Sequence, residues 1–153
     1  MGSSSEWAAE PLGPVRGEHL GFRWEASRSG GASYGWVWCG DILVPEILAH
    51  LGDLEVHGGV TLHKQECPGV YRIGFDCGHN YDARADRDRS RYPANRGVFR
   101  TLQYVQSELE SAAVQLTEIG VLHLGESALR WELVNVKGLL DLAEVLDLSM
   151  GTE

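Results

Sequence analysis

Residues Val60 to Asp76 read VTLHKQECPGVYRIGFD. Apolar and other side chains alternate along Val70-Tyr71-Arg72-Ile73-Gly74-Phe75, the period-two pattern of a half-buried strand, and Val60 to His63 carries a shorter strand-like run. Between them Glu66-Cys67-Pro68-Gly69 is turn chemistry. The segment therefore predicts a β-hairpin, and a hairpin with one apolar face needs further strands and a cover.

The flanking sequence supplies both. Upstream, Leu20 to Trp24 and Tyr34 to Cys39 (YGWVWC) are aromatic and β-branched runs separated by Ser27-Arg28-Ser29-Gly30-Gly31, which predicts paired strands. Leu54-Glu55-Val56 leads into His57-Gly58-Gly59, where two glycines permit a bulge or a bend close to another group. Downstream, Val98, Leu102, Val105, Leu109, Ala112 and Leu116 recur at gaps of four and three, an amphipathic helix of about five turns. Gly120 and Gly125 are expected to end it. Leu129 to Val136 reads as a further strand, and Leu139 to Leu148 as a shorter helix with Asp141, Glu144 and Asp147 opposite its apolar face.

The fold expectation is thus α+β: an antiparallel sheet of about four strands packed by one long amphipathic helix and a shorter C-terminal helix. Residues 1–18, rich in Ser, Gly, Pro and Ala, read as a flexible leader, and residues 19–150 as a single domain. A chain of 153 residues with 43% hydrophobic and 23% charged residues is long enough to bury one core and is not disordered in bulk.

Composition also bounds function. No apolar run reaches the roughly 18 residues of a membrane span, and Met1 to Pro14 lacks the pattern of a signal peptide, so a cytoplasmic protein without membrane contact is expected. Cys39, Cys67 and Cys77 are odd in number and show no CxxC spacing, which predicts reduced thiols. A formal net charge of -9 disfavours general nucleic-acid binding. Arg84, Arg87, Arg89, Arg91, Arg96 and Arg100 nevertheless crowd one region, expected to be a long surface loop from Asn80 to Gly97 that acts as a lid and an anion site.

Reactive side chains gather in two segments, VHGGVTLH and GFDCGHNYD. The hairpin places His57 and His79 near the same end of the sheet. A metal reading makes His57, His79 and Asp76 (or Asp82) ligands of zinc or another divalent ion with a position left for water. A metal-free reading makes His57 or His79 a general base oriented by Asp76 or Asp82, for phosphoester or glycosidic cleavage, with catalytic residues His57, Asp76 and His79. Cys77 as a nucleophile is a weaker variant. A binding reading uses Gly58, Gly59 and Gly78 for close backbone approach, Arg84 and Arg100 for an anion, Thr61 and Asp82 for polar contacts, and Tyr81, Tyr92 or Trp36 for stacking. Against all of these stands a plainer alternative in which the histidines and carboxylates only satisfy backbone groups in glycine-rich turns.

The same residues resemble a small uncharacterised protein family of tailed bacteriophages and prophages, with the pattern V-H-G-G-L-T-Y, then W-W-F-G-F-D-C-A-H-A-G-D, then a helix opening Y-R-x-x-x-Y-V. Val56 to Thr61, Gly74 to Cys77, His79, Asp82, Arg100, Tyr104 and Val105 match it, over roughly residues 34 to 117. Tyr71 and Arg72 stand where that family has tryptophans, His63 is extra, and the stretch after Ile119 has no counterpart. The resemblance implies a phage accessory protein acting in the bacterial host cell on its defences. With the His/Gly/Arg constellation, it leads to the expectation of a protein that binds a small anionic, nucleotide-like ligand and sequesters a host defence signal. Two alternatives remain: a metal-assisted or acid–base hydrolase using His57, Asp76 and His79, and an acidic protein that binds and inhibits a host factor. The helix from 98 to 117 serves equally to cover the core or to form a homo-oligomer.

Overall fold

The computed structural model describes residues 9–31, 33–51, 53–79, 82–87, 90–91 and 97–151. The fold is α+β, as the sequence patterns predict. Five strands form one antiparallel sheet: β1 (Val15–His19), β2 (Phe22–Gly31), β3 (Gly35–Pro45), β4 (Leu62–Cys67) and β5 (Val70–Asp76), in spatial order β1-β2-β3-β5-β4. A one-turn helix α1 (Glu46–Ala49) follows β3, and β4 then pairs with β5 in the expected hairpin. Two short segments, β6 (Asp82–Ala83) and β7 (Val98–Phe99), pair in parallel. The helices α2 (Leu102–Leu124) and α3 (Glu126–Gly151) complete the chain.

One sheet face is apolar because alternation places Phe22, Trp24, Ala26, Ile42, Ile73 and Phe75 on it, all buried. Across the strands Trp24 stands opposite Ile42, and Ile42 opposite Ile73. Helix α2 covers this face with Val105, Leu109, Ala112, Ala113 and Leu116, each nearly fully buried. Burying a leucine such as Leu109 contributes about 1.5–3 kcal/mol, so this seam dominates the stability of the layer pair. Thr101 caps α2, its hydroxyl accepting from the Tyr104 backbone N–H at 3.2 Å. The opposite face is a ladder of charges: Arg72 pairs with Glu66 at 2.8 Å and Asp41 at 3.0 Å, and Arg16 with Glu25 at 2.7 Å.

Three boundaries differ from the sequence patterns. The sheet has a fifth strand, β1, taken from the end of the expected leader, and Gly17 admits it because the Trp24 indole lies where a Cβ would stand. Glu10 is also tied down: its carboxylate accepts from the Leu102 backbone N–H at 2.7 Å and from the Trp38 indole. Gly120 does not end the helix but sits inside α2, where Leu129 packs onto its bare Cα; the break comes at Gly125, with φ of 89°. Beyond it, Leu129 to Val136 is helix rather than strand, continuous with the expected shorter helix. Leu129 and Val136 are buried and Leu133 packs against Gly21, a helical spacing that the run of apolar residues had disguised. Among the described residues, no helix is long and apolar enough to cross a membrane.

Candidate functional site

The turn before β4, the loop after β5 and the first turn of α2 meet at one corner. Gly58 and Gly59 have φ of 68° and 82°, a left-handed pair that L side chains resist, and Gly59 closes the turn by donating its N–H to the Val56 carbonyl at 2.9 Å. This turn drives His57 inward. A Cβ on Gly58 would stand 2.1 Å from His79 Nε2, so the glycine is the floor on which the His79 ring rests. The rings of His57 and His79 are 5.7 Å apart, the proximity that the hairpin predicts.

Asp82 is the hub. Its side chain is fully buried, and its carboxylate accepts from His57 Nε2 at 2.8 Å, from the His79 backbone N–H at 3.1 Å and from Arg100 Nε at 3.2 Å. Because the carboxylate only accepts, His57 Nε2 carries the proton, and in the neutral ring Nδ1 accepts from the Tyr104 hydroxyl at 2.7 Å. Burial pushes the Tyr104 phenol up, which keeps it a donor. Arg100 lies over the Tyr104 ring at 4.6 Å. Both ring nitrogens of His57 are therefore held by protein groups, and the zinc arrangement expected of His57, His79 and Asp76 is not assembled. Among the described residues, no group of three His, Cys, Asp or Glu side chains is placed to hold a metal ion. His57, expected to serve as a base, and Asp82, expected to touch a ligand, instead form a sealed lock.

Cys77 is buried with its N–H bonded to the Trp38 carbonyl, and burial raises its thiol far above the usual range, so it is no nucleophile. Burial likewise raises Cys39, to about 11. Thr61 lies exposed at the start of the edge strand, its N–H bonded to the Gly74 carbonyl, and no contact joins it to the corner. Tyr81 and Tyr92, expected to stack on a ligand, lie outside the described residues, as do Arg89 and Arg96 and half of the expected 80–97 lid. Trp36 is half-buried against the core and paired through its backbone with Ala85.

What remains at the surface is a second, adjoining cluster. Asp76 accepts from the Gly78 N–H at 2.9 Å, and its Oδ1 is 3.7 Å from His79 Nε2. Gly78 lies beneath Arg84: a Cβ there would be 2.7 Å from Arg84 Nη1. The Arg84 guanidinium donates to the Gly35 carbonyl at 3.2 Å and stacks on the Tyr34 ring at 4.2 Å, with Arg87 on the same ring at 4.8 Å. Burial and the neighbouring Arg87 lower the Arg84 pKa from its ordinary value, though a guanidinium stays charged at any working pH. Tyr34 is 46% exposed. The sequence gives no local sign of this ring as a platform, since it sits far from the arginines along the chain and reads as a strand start.

A groove of about 560 Å³ opens on the other side of Gly59, between α1 and β4, with His50, Asp53 and His63 on its wall. The rings of His50, His63 and Tyr71 meet there in tilted and edge-to-face contacts with centroids 5.0–5.2 Å apart, and His63 Nε2 donates to the Ala49 carbonyl at 2.9 Å. No protein-family model, curated protein or solved structure matches the chain.

Proposed function

We propose that this protein binds a small anionic ligand of nucleotide type at the corner formed by His79, Gly78, Arg84, Arg87 and Tyr34, and that it acts as a phage accessory protein that sequesters such a molecule in the host cell. The carrying observation is the convergence of two guanidinium groups, of Arg84 and Arg87, on the exposed Tyr34 ring, on a chain whose net charge is -9. A locally cationic platform on an acidic protein concentrates an anion where the average field repels it. Tyr34 adds an exposed aromatic ring for contact with a heterocycle. The phage assignment rests on the resemblance of the VHGGVT and GFDC motifs alone.

The test is calorimetric titration with inorganic phosphate, nucleoside mono- and diphosphates, and cyclic mono- and dinucleotides. At least one nucleotide is expected to bind. Replacing the half-buried Arg87 by Ala removes one charge-assisted contact of about 1.5–3 kcal/mol and is expected to weaken binding about tenfold or more. Silence across the whole panel overturns the reading.

The 3.7 Å approach of His79 Nε2 to Asp76 Oδ1 favours one second reading, acid–base hydrolysis with His79 as the base and Asp76 orienting it. It predicts turnover of the bound nucleotide that His79→Gln abolishes, a loss far greater than the weakening of binding that the same substitution causes. Chromatography of the titration mixtures distinguishes the two readings.

A further inference from the structure

Helix α3 turns one face to the sheet and another to solvent. Leu129 and Val136 are buried, and Lys137 and Asp141 reach Glu18 and Arg23 of the sheet. On the outer side Trp131 is 65% exposed, Val134 58%, Leu142 56%, Val145 60% and Leu146 54%. At 3.6 residues per turn, Trp131, Val134, Leu142 and Val145 lie on one stripe, and so does Gly138 midway between them. Together the apolar members expose on the order of 500 Å², the upper end of what a monomeric soluble protein leaves in water.

The stripe is symmetric about Gly138. Reading outward in either direction, an apolar residue stands four and then seven positions away. Among the described residues Gly138 has no heavy atom near where a Cβ would stand, so none of them calls for a glycine there, and a glycine weakens a helix interior. The charges beside the stripe are paired within the chain, Arg130 with Glu126, Lys137 with Glu18 and Asp141 with Arg23, so they leave the apolar stripe as the feature open to a partner.

We infer that α3 is a self-association surface, on which two copies of this chain pair their α3 helices antiparallel across a two-fold axis at Gly138. Gly138 of one copy meets Gly138 of the other, which lets the helices approach closely, as small residues do at helix crossings. Trp131 packs on the second copy's Val145, and Val134 on its Leu142. The contact buries on the order of 1,000 Å² in total, the lower bound for a specific interface.

Sedimentation equilibrium of the full chain is expected to give twice the 16.8 kDa chain mass at micromolar concentration. Val134→Glu with Leu142→Glu, at exposed positions, is expected to give a monomer with unchanged circular dichroism and melting temperature. A second measurement fixes the geometry. In a Cys39→Ser, Cys67→Ser background, Gly138→Cys is expected to form a disulfide-linked dimer on mild oxidation. Trp131→Cys is expected not to, since antiparallel pairing sets the two positions about 21 Å apart along the axis. A monomeric wild-type chain, a dimer indifferent to the double substitution, or cross-linking through position 131 in place of 138 overturns the proposal; the first outcome leaves the stripe to a different protein.

Discussion

Asp82→Asn is the change that most directly tests the lock. The substitution keeps the shape and one acceptor oxygen but removes the charge that faces His57 Nε2, Arg100 Nε and the His79 N–H at 2.8–3.2 Å. The charge opposite Asp82 is Arg100, and removing one partner of a buried ion pair costs about 3–5 kcal/mol where the other charge is left uncompensated. The Arg100 side chain keeps 26% of its surface in water, which screens its share and places the expected loss at the lower end, about 3 kcal/mol. That is a large part of the stability of a domain this size and corresponds to a fall in melting temperature of roughly 6–12 °C.

Urea unfolding followed by tryptophan fluorescence reads the loss as a lower midpoint with an unchanged slope. A cycle with His57→Gln then isolates the pair: the two losses are expected to fall short of additivity by about 1–3 kcal/mol, as contacting members of one network do. Tyr104→Phe, which removes only the hydroxyl donated to His57, is expected to cost about 1 kcal/mol. An Asp82→Asn loss below about 1 kcal/mol, or strict additivity with His57→Gln, would show that water enters the corner and would refute the lock.

Two further outcomes follow from the geometry. Gly58→Ala forces an L side chain to φ of 68° and drives its Cβ into the His79 ring, so it is expected to cost about 1–2 kcal/mol from backbone strain alone. It should also weaken nucleotide binding by displacing His79, read by thermal melting and calorimetry on one sample. The charge ladder predicts opposite pH signatures for two carboxylates that share Arg72. The Arg72 hydrogen bond holds the Glu66 pKa below its ordinary value, so the stabilisation from Glu66 is present above the unfolded carboxylate pKa and lost as pH falls through the lower folded one. Glu66→Gln should therefore cost less than about 1 kcal/mol at pH 7, given partial exposure, and nothing at pH 2–3. Burial outweighs Arg72 at Asp41 and raises its pKa, so Asp41→Asn should stabilise at pH 7 and lose that advantage in acid; urea midpoints at both pH values check the two signs.

The parts of the fold legible in the sequence are those with local signals. The hairpin from Leu62 to Asp76 follows from its alternation and its Cys67-Pro68-Gly69 turn, and α2 follows from its gaps of four and three. The meeting of His57 with His79 follows from the hairpin. What was not legible depends on distant partners. Glu10 looks like part of a mobile leader because nothing beside it reveals that its carboxylate reaches Leu102. The run Val15–His19 carries one strongly apolar residue, since an edge strand under a tryptophan needs little hydrophobicity of its own. The dense leucines of α3 hid a helical period because both of its faces carry apolar residues, one set on the sheet and one in water.

The corner divides the chemistry-bearing residues in a way that spacing alone does not show. His57, Asp82 and Cys77 are sealed, whereas Asp76, His79, Arg87 and Tyr34 keep access to water. Most of the motif residues, from Val56 to Gly59, from Gly74 to Cys77, and Asp82, Arg100 and Tyr104, have identifiable structural duties: a left-handed turn, a glycine floor, a core strand and a buried ion pair. Those duties are demanding enough to fix the residue types without any ligand. On the proposed reading, selectivity rests on the exposed Tyr34 and the half-buried Arg87, which lie outside the VHGG and GFDC motifs, with the buried Arg84 held beneath them by the Gly35 carbonyl. If the corner binds a nucleotide as proposed, substitutions at Arg87 and Tyr34, rather than at His57, are the ones expected to change which nucleotide binds.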